Sequence, residues 1–371
     1  MKVLTQISRI LVGILFIISG LIKANDTLGF SYKLLEYFEI FDTQFLNPYA
    51  VTISMFVCIF EIVSGVALLL GIYNKLNAWL LLLLIIFFTL LTGYSAITHK
   101  VTDCGCFGDA LKLTPFTSFM KDVVLLILIG FIFMGTKFIK PIVSLPIANI
   151  ALSVSFLVST AFTLYTFLFL PVKDFLPYKI GNNIQELTLV PEGAPKDIVE
   201  MVFIYEKSGQ IFEFSANNLP DDLDAYNFVD RKDVVKQKGF VPPIHDFKIF
   251  DEVGIELTDS FFAGTNYKLV LVQTKIEKSN PGLETKLDQL SKDWMQSGNV
   301  FWALTSSNLA EAKTYAEKNK FSFTYYNMDD IPLKSMVRSN PGIMLLKGNT
   351  VIKKWSAYQL PSWETLQKMM Q

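Results

Sequence analysis

Five stretches of the chain stay apolar for about twenty residues at a time, and their spacing sets the first half of the fold. They run over about 4–24, 50–72, 76–98, 116–138 and 144–170. A helix rises about 1.5 Å per residue, so roughly 20 apolar residues cross the hydrocarbon of a bilayer. The third stretch holds "AWLLLLLIIFFTLL" (78–91), apolar around its whole circumference, which suits lipid and no aqueous surface. The fourth carries Lys121 and Asp122 in its first turns. After Pro171 the period changes. "IVEMVFIYE" (198–206), the turn Lys207-Ser208-Gly209 and "QIFEFS" (210–215) predict a hairpin, followed by a polar loop over 217–228. "PPIHDF" (242–247) marks a boundary, since paired prolines end regular structure. Beyond it the pattern predicts strands at 247–250, 268–274, 299–304, 322–326, 342–346 and 350–355. Helices are expected at 282–297, 308–319 and 361–370. That alternation predicts an α/β layer with a mixed sheet. Four parts follow: four membrane helices over 1–140, a fifth over 141–171, a hairpin-containing connector over 172–241 and an α/β domain over 242–371.

Composition agrees with the pattern. Apolar residues make up 51% of the chain and charged residues only 18%, against about 25% in soluble domains; the mean hydropathy is +0.38. The deficit of charge lies in residues 1–171. A net charge of −1 supplies no basic field, so nucleic acid is not an expected partner, whereas a lipid bilayer is. Lys2, Arg9, Lys75, Lys137 and Lys140 all fall on one side of an alternating five-span topology. By the bias of basic residues toward the cytoplasm, the amino terminus is inside and the carboxy-terminal half outside. In a bacterium that means the inner membrane and the periplasm. Lys23-Ala24-Asn25-Asp26 after the first stretch is no small-residue cleavage site, so the stretch is expected to be retained as a span.

Two of the three cysteines stand one glycine apart in Asp103-Cys104-Gly105-Cys106-Phe107-Gly108-Asp109, on the expected outer side. Three chemistries are open for Cys104 and Cys106: a redox pair, an inert bridge or loop, and half of a metal site. A Cys-X-Cys bridge closes a very small ring, and its departure from relaxed geometry raises its potential. A metal is not expected, because zinc takes four ligands and only His99 and the aspartates stand near. Asp103, Asp109, Lys121 and Asp122 are candidate supporting groups. Charged residues inside a bilayer are costly and usually paired or functional, which also singles out Arg9 and Glu61. Glu61 is expected to find a basic partner inside the bundle, and Arg9 to snorkel to the cytoplasmic face. Lys121 and Asp122 are expected to pair with each other's neighbours or with water. Cys58 reads as core packing, and His245 as a strand-edge hydrogen-bonding residue.

"RILVGILFIISGLIK" (9–23), "EIVSGVALLLG" (61–71) and "CGCFGD" followed by Lys121-Asp122 resemble the DoxX/MauE group of small membrane proteins, over about 130 residues. The resemblance implies a four-helix bundle similar to vitamin K epoxide reductase, and roles in disulfide formation or quinone-linked redox steps. Residues 245–371 resemble a thioredoxin-like domain of the peroxiredoxin/TlpA type. The likeness lies in "HDFKIFDEVGIELTDSFFAGTNYKLVLVQTK" (245–275) and "RSNPGIMLLKGNTVIKKW" (338–355). It implies a cis-proline at Pro341 and a peptide-binding groove at Asn340, Pro341 and Gly342. The cysteines of that family are missing: "KLVLVQT" runs into Lys275-Ile276-Glu277-Lys278-Ser279-Asn280-Pro281-Gly282. A thiolate is the nucleophile of disulfide exchange, so this domain cannot perform it alone.

Two functions are therefore expected. One is an accessory factor of envelope protein biogenesis, working in a complex with other membrane or periplasmic proteins through the thiol-less domain. The alternative is a membrane thiol-disulfide oxidoreductase, with Cys104 and Cys106 passing electrons to a quinone. No other cofactor is expected.

Overall fold

The computed structural model describes residues 1–98, 101, 105, 107–111, 113–237, 239–278 and 282–371. The chain forms two compact units, Met1–Asn182 together with Lys248–Gln371, and Asn183–Phe247.

In the first unit, α1 (Lys2–Asn25), α3 (Ala50–Leu70), α4 (Asn74–Thr98), α5 (Pro115–Met134) and α6 (Leu145–Leu168) are the long apolar helices. Each is long and apolar enough to cross a membrane. Between α1 and α3 lies a further helix, α2 (Thr27–Ile40), in a segment expected only to connect. Asp26 starts it, its carboxylate accepting from the Gly29 amide at 2.8 Å. One core serves α1, α3, α4 and α5 through Phe16, Leu68, Leu81 and Ile129, while α6 packs outside it on α3 around Ala67 and Ala148. Apolar attraction between helices is weak in lipid, so close approach of backbones has to replace it. Gly13 and Gly65 provide it: a Cβ on Gly65 would stand 2.7 Å from the Gly13 carbonyl oxygen. The opposite faces present Ile14, Leu83, Phe87 and Leu157 outward, a surface suited to lipid.

The second unit holds α7 (Ile184–Thr188) and strands β1 (Ile198–Lys207), β2 (Gln210–Ser215) and β3 (Asn227–Gln237) in the antiparallel order β2-β1-β3. The hairpin forms where the alternation places it. β3 takes most of a stretch whose Asp230, Arg231, Lys232 and Asp233 hide any apolar period. Tyr205, Phe212, Phe214, Tyr226 and Phe228 pack against one another across the sheet, Tyr226 edge to face on Phe212 and Phe214 and Phe228 edge to face on Tyr205, yet no residue from 198 to 237 is buried.

The carboxy-terminal α/β region belongs to the first unit. It contains β4 (Ile249–Phe250), α8 (Thr258–Phe262), β5 (Tyr267–Val272), α9 (Glu284–Gln296), β6 (Val300–Thr305), α10 (Leu309–Asn319) and β7 (Tyr325–Met328). After them come α11 (Asp330–Met336), β8 (Gly342–Lys347), β9 (Thr350–Ser356) and α12 (Trp363–Met370). The six-stranded sheet is mixed, in the order β4-β7-β6-β5-β8-β9. β5 runs parallel to β6 and antiparallel to β8. Leu269 and Leu271 point to a core with Trp294, Ala312 and Leu366 from the helices. Val270 and Val272 are equally buried on the other face, as strands covered on both sides require.

Candidate functional site

Two charged pairs lie inside the bundle. Lys23, at the last turn of α1, donates to both carboxylate oxygens of Glu61 at 2.7 Å and to Ser19 Oγ at 2.7 Å. Both residues are buried, at 3% and 4% exposure, so each ion depends on the other. The rings of Phe30 and Phe88 stand 5.6 and 5.9 Å from the ammonium. Glu61 thus has its basic partner, a residue that sequence reasoning treated only as the end of a span. In α5, Asp122 is 1% exposed. It accepts from Lys121 Nζ at 2.6 Å and from Thr92 Oγ1 at 3.0 Å. The two neighbours bond to each other, contrary to expectation: the lysine stem reaches back to the carboxylate and keeps a quarter of its side chain exposed. Its ammonium also lies 5.5 Å from the ring of Phe107, two residues beyond Gly105.

Both pairs line one cleft among α1, α3, α4 and α5, of about 550 Å³ counting its open mouth. Its other walls are apolar, with Phe16, Phe88, Phe107 and Leu125 among them.

Arg9 does not snorkel. It is 5% exposed and donates from Nε to the Leu68 carbonyl at 2.8 Å and from Nη2 to the Leu69 carbonyl at 2.6 Å. The last carbonyls of a helix lack partners within it, and a guanidinium both bonds them and opposes the dipole there. The role of Arg9 is to finish α3.

A second cluster joins the α/β region to the bundle. Arg338, 6% exposed, donates from Nε to Asp26 at 2.8 Å and from Nη2 to Asp109 at 2.7 Å. Its Nη1 reaches the Lys334 carbonyl at 2.6 Å, and the guanidinium lies 5.4 Å from the ring of Tyr32 on α2. Burial alone would pull the guanidinium down; Asp26, Asp109 and Tyr32 carry it above its ordinary value. The same burial pushes the Tyr32 hydroxyl up to about 12. Gly29 leaves room for this arrangement, since a Cβ there would stand 2.8 Å from Arg338 Nη2. Beside it Lys354 on β9 donates to Asp174 at 2.7 Å, and Asn25 exchanges two hydrogen bonds with the Lys173 backbone.

Arg338 leads directly into the proline loop. The Asn340–Pro341 peptide is cis. Asn340 Nδ2 donates to the Lys275 carbonyl at 2.7 Å, which ties this loop to the end of β5. Pro341 and Gly342 are buried, and a Cβ on Gly342 would meet Val337 at 2.5 Å. Asp103, Cys104 and Cys106 lie outside the described residues. Of their neighbours, Val101 is fully buried, Gly105 packs against Lys33, Phe107 lines the cleft and Asp109 is held by Arg338. Cys58 is a free, fully buried thiol in the core of α1, α2 and α3. Among the described residues no group of His, Cys, Asp and Glu is placed to hold a metal ion.

Sequence reasoning missed Lys23, Asp26, Asp174, Arg338 and Lys354. Lys23 carried a signal in its position at the edge of an apolar stretch, and Asp26 one as a helix-starting residue. The other three carried none, because their partners lie 180 to 312 residues away.

Residues 1–135 match the family model described as Methylamine utilisation protein MauE, so the chain is a membrane protein with a MauE-like domain. Residues 199–238 match a model described as Domain of unknown function (DUF8463). Protein TlpB of Flavobacterium psychrophilum is 28% identical over 134 residues, an alignment covering 34% of this chain and 35% of that protein. The match therefore spans about a third of that relative's length. No solved structure matches the chain significantly.

Proposed function

We propose that the chain is an accessory factor of envelope protein biogenesis in a bacterial inner membrane, with its amino terminus cytoplasmic and its carboxy-terminal half periplasmic. A redox-inactive, thioredoxin-like region binds a client or partner protein while the MauE-like bundle anchors it. The observation that carries this reading is a proline loop kept in place beside an end of β5 that has no sulfur. The sheet order β7-β6-β5-β8-β9 supports the thioredoxin-like assignment. Asn340 bonds to Lys275 where a nucleophilic thiol would be needed, and Gln273-Thr274-Lys275-Ile276-Glu277 supplies none. The half-exposed aromatic sheet of Asn183–Phe247 adds apolar surface of the kind that marks protein contacts.

One observation favours the second reading, a thiol-disulfide oxidoreductase using Cys104 and Cys106. The bundle cleft has apolar walls, two buried charged pairs, and Phe107 immediately after Cys106. A quinone bound there would take up the two electrons and two protons released as the Cys104 and Cys106 thiols close to a disulfide, and Lys23 and Lys121, which line the cleft, would be the candidate donors to its carbonyl oxygens. Complementing a deletion strain separates the readings. The accessory reading expects loss of a defined set of envelope proteins, restored by Cys104→Ser/Cys106→Ser. The oxidoreductase reading expects that variant to behave as the deletion, with periplasmic thiols shifted toward the reduced form. A deletion that leaves envelope protein levels and thiol states unchanged contradicts both.

A further inference from the structure

We propose that β2 is a docking edge for an extended segment of a partner protein, which adds to the three-stranded sheet as a fourth strand, with apolar side chains at every second position and a basic one opposite Glu213. The described residues contain four sheet edges, and three of them carry a device against pairing. β4 is two residues long. β9 is bonded by its own chain: the Gly181 amide donates to the Val351 carbonyl at 2.8 Å, and the Val351 amide to the Asn182 carbonyl at 2.9 Å. β3 carries Asp230, Arg231, Lys232, Asp233 and Lys236. β2, Gln210-Ile211-Phe212-Glu213-Phe214-Ser215, has one charge and no proline.

The backbone of β2 is open where a strand would add. Ser208 and Gly209 take left-handed φ values of 56° and 79° and close a two-residue turn between Lys207 and Gln210. In such a hairpin the pair flanking the turn exchanges hydrogen bonds, and so does every second pair beyond it. That series runs through Lys207 with Gln210, Tyr205 with Phe212 and Phe203 with Phe214, and its next step is the Ala216 amide on the Met201 carbonyl at 2.9 Å. Phe212 and Phe214 therefore spend their backbone groups on β1, while Ile211 and Glu213 turn theirs outward. Among the described residues none bonds to those outward groups.

The side chains say what fits. Phe212 and Phe214 share a face with Tyr226, whose ring stands edge to face 5.5 and 5.4 Å from theirs, and apolar side chains of an added strand extend that face. On the other face Ile211 is 60% exposed, beside its cross-strand partner Glu206 and beside Glu213. Glu213 meets Lys232 at 2.6 Å with both side chains about half exposed, a weak surface pair. A cation directly opposite Glu213 gains a cross-strand contact. Residues 183–247 carry twelve carboxylates against six lysines and arginines. That field repels a second copy and an anionic lipid surface, and it attracts a basic segment. The proposal goes beyond the accessory reading, since it concerns β2 and not the proline loop and holds for either function.

Full-length protein in detergent micelles is titrated into a fluorescent nine-residue peptide, Thr-Val-Thr-Val-Lys-Val-Thr-Val-Thr, and the anisotropy is followed. Saturable binding is expected, weakened at least tenfold by Glu213→Lys and restored when that variant meets the peptide whose lysine is replaced by glutamate. Ile211→Pro, which deletes an outward amide, is expected to abolish binding, and Asp230→Lys on β3 to leave it unchanged. No saturable binding to the wild type up to about 0.1 mM protein overturns the proposal, as does equal affinity in wild type, Glu213→Lys and Ile211→Pro. If Ile211→Pro misfolds, the two peptides decide: an exchange of preference between wild type and Glu213→Lys supports the docking edge, and an unchanged preference refutes it. Wild-type protein that dimerises with rising concentration, where Ile211→Pro stays monomeric, assigns the edge to a second copy and also refutes it. Each of these failures leaves the accessory reading standing, because the proline loop is untouched.

Discussion

The Lys23–Glu61 pair gives the sharpest test of how the bundle is held together. At 2.7 Å and an effective dielectric constant of about 20, the two charges attract by about 6 kcal/mol. That attraction is set against several kcal/mol for taking each ion out of water, so the pair as a whole contributes little net stability. Removing one partner is different. Lys23→Met leaves the Glu61 carboxyl without its counter-charge, 4% exposed in an apolar bundle, where Ser19 Oγ donates to it at 2.9 Å. The expected loss is about 3–5 kcal/mol, and Glu61→Leu should cost a similar amount by stranding the ammonium. The double variant Lys23→Met/Glu61→Leu should recover most of the loss, to within about 1–2 kcal/mol of the parent, because neither charge is then buried alone. Unfolding of the membrane domain in mixed micelles, titrated with SDS and followed by tryptophan fluorescence, supplies the three differences of a double-mutant cycle. If each single variant costs under about 1 kcal/mol, or the double variant costs the sum of the two, the pair is not a mutually dependent buried unit and the reasoning fails.

Two further outcomes follow from local geometry. Gly65→Val should lower the thermal midpoint of the bundle in detergent, because its Cβ would meet the Gly13 backbone at 2.7 Å and overpacking costs about 1–3 kcal/mol. Gly130→Ala, where a Cβ meets nothing, should be neutral or slightly stabilising, and equal effects at the two positions would refute the close-approach argument. Lys354 predicts a slope with pH. Burial holds its ammonium below the ordinary 10.5, with Asp174 raising it only in part. The folded state therefore releases this proton before the unfolded chain does, so stability rises as pH climbs through the window between the lowered value and 10.5. Lys354→Met should remove that rise from a series of melting midpoints above pH 7, and an unaltered slope would contradict it.

Much of this fold is local information. A run of some twenty apolar residues has few options other than a spanning helix, because an unpaired backbone is too costly in hydrocarbon. The five spans therefore follow from the apolar runs alone, and the strands and helices after Pro171 follow from the change of hydrophobic period. "AWLLLLLIIFFTLL" and "KLVLVQT" needed no neighbours to be read. Where charge masked the period, reading failed: β3 carries Asp230, Arg231, Lys232, Asp233 and Lys236 on an open strand, and the apolar positions of α2 are interspersed with Lys33, Glu36 and Glu39. The ionisable residues Arg9, Glu61, Asp109 and Asp122 stood out singly, because charge in or beside an apolar run is conspicuous. Their partners were not legible. Burial makes an ion require a counter-charge, but only the packing of helices decides which one comes within 3 Å. Tertiary structure alone brought Lys23 to Glu61, turned Arg9 from a surface anchor into the cap of α3, and placed Arg338 on Asp26 and Asp109 across 312 and 229 residues. The sequence determined which segments seek lipid and which form a sheet, since hydrophobic period is a property of neighbours along the chain. The site was decided by contacts between segments distant along it, which no local pattern encodes.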